Sequence, residues 1–142
     1  MERVNGALQA KKSDAEVLRP LIECLWWVCV TDETLMEEYP SEWKDHLRPK
    51  GSDLYDLILG LRWARNRMAH QVCQWDIAIA PFVWQDADKL SSITSVSNPN
   101  KGWDKGRKEF TLLLQGNDPR DGLKKAIAEI KGKAVGSLPP QH

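Results

Sequence analysis

The chain has 142 residues and a formal net charge of zero, with 20 Lys and Arg against 20 Asp and Glu. That length fits one domain and buries a core without disulfide staples. The charge balance excludes a global basic field drawing nucleic acid to the whole surface, so any anion site has to be local.

In chain order, residues 1–13 are polar and expected to fray. Asp14 caps a first helix, but Pro20 removes a hydrogen bond from its interior. Either that helix kinks, or the main helix begins near Arg19 with Pro20 in its first turn. Leu21, Ile22, Leu25, Trp26, Val28, Cys29 and Leu35 wrap widely, predicting a helix buried on more than one side. The β-branched Val28, Val30 and Thr31 leave a strand over residues 25–31 as the alternative, against which the Glu-rich flanks argue.

Tyr39-Pro40-Ser41 ends this helix. Ser41 is expected to cap a short turn through Leu47, followed by a loop at Arg48-Pro49-Lys50-Gly51. Ser52 or Asp53 then caps a long helix running to about Gln74, with Leu54, Leu57, Ile58, Leu61, Met68 and Val72 on one stripe. Residues 75–90 read as a short helix plus an extended piece around Phe82, Val83 and Trp84. Residues 91–101 read as a loop. Trp103 to Gln115 reads as a helix with Trp103, Phe110, Leu113 and Leu114 inward. Asp118 caps a last helix with Pro119 at its first position and Leu123, Ala126, Ile127 and Ile130 as its stripe. The expected organisation is one all-α domain over residues 1–131, a bundle of four to five helices around two long antiparallel ones. Residues 132–142 are expected as a flexible tail.

Chemistry concentrates near the end of the second long helix, in Leu61-Arg62-Trp63-Ala64-Arg65-Asn66-Arg67-Met68-Ala69-His70-Gln71. Arg65 lies inside or beside the apolar stripe, and a guanidinium there needs a partner. Glu23, between apolar residues of the first long helix, is the expected internal partner, with Asp32 second. A carboxylate, a second subunit or a phosphate would each serve. Asn66 and His70 share a face. Arg65 and His70 are about 140° apart around the axis and converge only at the edge of a groove.

The segment Arg65-Asn66-Arg67-Met68-Ala69-His70 resembles the motif of the HEPN superfamily: an arginine, often followed by a polar residue, then a histidine with four to six residues between the two. The frame Pro20-Leu21-Ile22-Glu23-Cys24-Leu25-Trp26-Trp27 followed by Gly60 to Arg67 also resembles small actinobacterial and actinophage proteins. The resemblance covers roughly residues 14–80 and is specific over the six-residue motif. It implies a HEPN-like bundle and metal-independent RNA cleavage, with Arg65, Asn66 and His70 as catalytic residues, Arg62 and Arg67 as substrate ligands and Glu23 in support. It also implies a homodimer in which two motifs meet, and the setting of a toxin or phage-defence factor with an antitoxin protein as partner. The competing expectation is a non-catalytic helical module in which the same residues hold a dimer or partner together.

No cofactor or metal is expected. His70 and Cys73 share a helix face, but no second pair has ligand spacing. Gly102, Gly106, Gly116 and Gly122 form no phosphate-cradling loop. Lys101, Lys105, Arg107 and Lys108 around Trp103 read as a solvated helix face before a nucleic-acid surface. A helix-turn-helix at residues 116–119 is disfavoured by the mixed charge after it. Cys24, Cys29 and Cys73 lack the spacing of a disulfide framework and are expected as reduced thiols of a cytoplasmic protein. The polar N-terminus has no signal-peptide core, and the apolar run from Cys24 to Val30 is too short to span a bilayer. Of the seven tryptophans, a few belong in the core and others are expected on a partner surface.

Overall fold

A computed structural model describes residues 14–68, 83–93 and 104–138. Every element among them is helical: α1 (Asp14–Glu38), a π-helical segment (Pro40–Leu47), α2 (Asp53–Met68), α3 (Ala87–Ile93), α4 (Arg107–Leu113) and α5 (Pro119–Ser137). The all-α expectation holds, and α2 is the element on which α1, α3, α4 and α5 all pack.

α1 begins at Asp14 and runs on through Pro20, which is buried, so the helix does not start near Arg19. The strand alternative over residues 25–31 is helix. The helix ends at Glu38 because Pro40 disfavours α geometry at Tyr39, which sits at φ −130° and ψ 62°. Pro40 then takes the first position of the π-helical segment, where its missing N–H costs nothing. Ser41, expected to cap this turn, is instead inside it and exposed. The Arg48 N–H closes the segment on the Trp43 carbonyl, five residues back, at 2.8 Å.

Of the two candidate caps for α2, Ser52 serves: its Oγ accepts from the Tyr55 N–H at 3.2 Å. Leu54, Leu57, Ile58 and Leu61 are buried as the stripe requires. The expected continuation of this helix to Gln74, with His70, Val72 and Cys73, lies outside the described residues. So do Phe82, Trp103 and Lys101.

α2 approaches α4 so closely that a Cβ on Gly60 would stand 2.9 Å from the Phe110 nitrogen. The two backbones meet because residue 60 has no side chain. Around that contact Trp63 and Trp84 flank Phe110, with ring centroids 4.9 and 5.6 Å away. Trp84 lies in the non-helical stretch before α3 and is tied to the turn after α4 by two backbone bonds. Its N–H donates to the Asn117 carbonyl at 2.9 Å, and its carbonyl accepts from Gly116 at 2.8 Å.

Three expectations need correction. α3 begins only at Ala87 and takes in residues 91–93, where the sequence predicts a loop; the Asp86 carboxylate accepts from the Lys89 N–H and starts the helix there. α4 is shorter than expected, and Leu113 is 43% exposed while Phe110 and Leu114 are buried. α5 begins as expected, with Asp118 accepting from the Arg120 N–H and Pro119 first. It continues to Ser137, so the stretch from Gly132 to Ser137 is helix instead of tail. Two glycines there weaken the helix by roughly 1 kcal/mol each relative to alanine, which does not end it.

Candidate functional site

The apolar stripe of α1 runs Leu21, Leu25, Val28 and then Asp32 before Leu35. Asp32 therefore enters the core by register, and its carboxylate is fully buried. It has three donor residues. Trp43 Nε1 donates to Oδ1 at 2.9 Å, Arg48 donates through Nε and Nη2 at 2.9 and 3.1 Å, and Arg62 Nη2 donates to Oδ2 at 2.9 Å. Burying a carboxylate is tolerable only with this degree of pairing. One side chain of α1 thus fixes the π-helical segment, the loop after it and an arginine of α2.

Glu33, the next residue, points outward, with its side chain 47% exposed. Its Oε1 lies 3.4 Å from Arg62 Nε and 3.3 Å from Arg65 Nη1. Arg62 Nε is itself buried and, despite that proximity, makes no hydrogen bond. Arg65 is held from two further sides. Asn66 Oδ1 accepts from its Nε and Nη2 at 3.3 and 3.1 Å, and its guanidinium lies 5.1 Å above the Trp26 ring. Trp26 is 41% exposed, and Trp27 and Val30 beside it are exposed too. Among the described residues, Arg48, Arg62 and Arg65 share Asp32 and Glu33, so three cations face two carboxylates.

Arg67 departs from expectation. Two residues after Arg65, it projects about 200° around the helix. It is 1% exposed, lies 5.1 Å over the Trp63 ring and is 3.6 Å from Asp104. Burial pushes its guanidinium down to about 10, with the Asp104 carboxylate opposing. It is a buried cation, stacked on Trp63, where the sequence suggests an exposed ligand. Glu23 is likewise not the partner of Arg65; it lies on the exposed side of α1, and Glu33 takes that place. Asp32, the second candidate, pairs with Arg62 instead.

The structure therefore brings together Arg62, Arg65 and Asn66, sends Arg67 to the opposite side of α2, and describes no geometry for His70. Sequence reasoning missed Arg48 and Glu33 as members of the cluster. The signal for Asp32 was present: a carboxylate at a stripe position demands donors. Nothing comparable marked Arg48, which sits in a loop rich in Pro, Lys and Gly.

Cys29 is buried beside this cluster. Burial pushes its thiol up to about 11, while the Arg65 and Arg62 charges pull the other way, so it stays protonated and unreactive at neutral pH. Cys24 is half-buried, and both are free thiols. On the α4 side, Arg107 pairs with Asp88 and Asp104, which neutralises part of the basic patch expected there. Among the described residues no group of three or more His, Cys, Asp or Glu is placed to hold a metal, and no helix is long and apolar enough to cross a membrane.

Comparison with family models, with curated proteins and with solved structures returned no match for this chain. The HEPN resemblance therefore rests on the sequence motif alone.

Proposed function

We propose that the chain is a HEPN-type endoribonuclease working without a metal, with Arg65 as its phosphate ligand. The observation that carries this reading is the posture of Arg65. Its guanidinium is oriented by Asn66 and stacked on a partly exposed tryptophan, in a cluster with more cations than carboxylates. A fork of N–H donors held this way suits a phosphodiester oxygen and the charge that grows on it. Asn66 is a positioning residue for that fork. Arg62, fixed from behind by Asp32, adds a second cation to the same end of the site.

In the chemistry proposed, the neutral imidazole of His70 takes the proton of a ribose 2′-hydroxyl. The 2′-oxygen attacks the adjacent phosphorus and the bond to the 5′-oxygen breaks. A second histidine, from the other copy in a homodimer, returns a proton to that leaving oxygen. The products are a 2′,3′-cyclic phosphate and a 5′-hydroxyl. An antitoxin protein would act by covering Arg65 or by separating the two copies.

The test is cleavage of RNA by the purified chain in excess chelator. The expected result is cleavage by the parent and loss of at least about a hundredfold in His70→Ala and Arg65→Ala. Circular dichroism checks that both variants remain folded. Unchanged cleavage by either folded variant removes the nuclease assignment.

A second reading, a non-catalytic helical interaction module, is favoured by a different observation. Trp26, Trp27 and Val30 expose an apolar strip along α1, and Glu33 already occupies the arginines. Its signature would be no RNA cleavage by the parent, with sedimentation showing a self-associated chain that Trp27→Glu converts to monomer.

A further inference from the structure

We infer that Glu33 is a resident stand-in for the phosphate: its carboxylate occupies an oxyanion site made by Arg62 Nε and Arg65 Nη1, and an incoming phosphate ester displaces it. This rests on the reading of Arg65 as a phosphate ligand and adds how that site is kept shut.

Asp32 and Glu33 are adjacent, yet they hold their arginines in opposite ways. Asp32 is fully buried and accepts hydrogen bonds at 2.9–3.1 Å from Trp43, Arg48 and Arg62. Glu33 is half exposed and reaches both arginines through one oxygen, at 3.3 and 3.4 Å. The longer of these approaches leaves Arg62 Nε without a hydrogen bond in a place water does not reach. A buried N–H costs free energy until an acceptor meets it in line. A tetrahedral phosphate offers oxygens in several directions, so it can meet Arg62 Nε and Arg65 Nη1 each in line, which a single carboxylate oxygen does not achieve here.

The rest of the cluster is arranged for the exchange. Asp32 keeps Arg62 in place from its other side, through Nη2, so releasing Glu33 does not release Arg62. Asn66 and Trp26 do the same for Arg65. Glu33, itself half exposed, has only long contacts of 3.3 and 3.4 Å to give up. With Glu33 swung into solvent, Arg48, Arg62 and Arg65 face Asp32 alone. The two surplus charges accept a phosphodiester monoanion or a phosphate.

The experiment titrates the full chain with inorganic phosphate and, separately, with a short RNA made uncleavable by 2′-deoxy substitution. Parent, Glu33→Gln and Arg65→Ala are compared by calorimetry at fixed salt. Glu33→Gln keeps the shape and removes the charge, and at an exposed position it leaves the fold intact. The expected result is affinity about two- to fivefold tighter than the parent for Glu33→Gln, and binding lost in Arg65→Ala. Tightening for both probes assigns the site to phosphate generally. Tightening for the oligonucleotide alone assigns it to the nucleic-acid backbone. Equal affinity of Glu33→Gln and parent, or no binding of either probe by either protein, overturns the inference. Tighter binding by Glu33→Gln from a parent that cleaves no RNA leaves the displaceable carboxylate standing and removes only the nuclease assignment.

Discussion

The two sides of α2 put the same residue type to opposite uses. Towards α4, Arg67 is stacked on Trp63 inside a closed aromatic cluster and is 1% exposed. Towards α1, Arg65 is stacked on Trp26, which is 41% exposed. Each guanidinium has an aromatic ring and a carboxylate. What differs is whether the ring is itself covered. Trp63 is fully buried by Phe110 and the close approach at Gly60, whereas Trp26 has solvent on part of its surface. The chemical role of an arginine two residues along a helix is therefore set by what packs over its aromatic neighbour.

Substitutions can break this contrast, and the largest effect is expected on the closed side. Trp63→Ala removes the ring between Phe110 and Arg67 and should cost about 3–5 kcal/mol, measured by urea unfolding. A cost below about 1 kcal/mol would mean that the cluster is not a packed core. Asp32→Ala comes next. It strands Arg48, the Trp43 indole and one side of Arg62, and breaking a buried pair of this kind costs about 3–5 kcal/mol. Asp32→Asn keeps part of the hydrogen bonding and should fall below that.

The sharpest comparison is between the two arginines themselves. Arg67→Ala empties a buried space and should lower stability by about 2–4 kcal/mol. Arg65→Ala, which loses a half-exposed ion pair and its stacking on Trp26, should lower it by less than Arg67→Ala does while removing anion binding. If both variants lost the same stability, the division of α2 into a structural and a functional side would be wrong.

Much of the fold was legible because its signals are local. Ser52 and Asp118 cap their helices through hydrogen bonds to nearby backbone N–H groups, and Pro40 stops α1 by excluding helical geometry at Tyr39. The stripe Leu54, Leu57, Ile58 and Leu61 buries as its spacing dictates. What was not legible depended on contacts distant in sequence. Leu113 has the hydrophobicity of Leu114, and only the packing of α4 on α2 through Phe110 decides which of the two turns outward. Arg67 could not be told from Arg65 by composition, although its angle on the helix separated them. Arg48 gave no sign of burial, because its partner lies sixteen residues earlier on α1. The partner of Arg65 is hidden from sequence for a geometric reason: Glu23 lies among apolar residues in the sequence, yet it is exposed on α1.

Asp32 has a consequence for how this chain can diverge. Its two oxygens serve Trp43, Arg48 and Arg62, so the connection between the first two helices and the cation behind the site draw on the same acceptor. A change at residue 48 alters how that acceptor is shared with residue 62, even though residue 48 is in a loop. In relatives of this protein, positions 32, 48 and 62 should accordingly be replaced as a set, while position 33 drifts independently of all three.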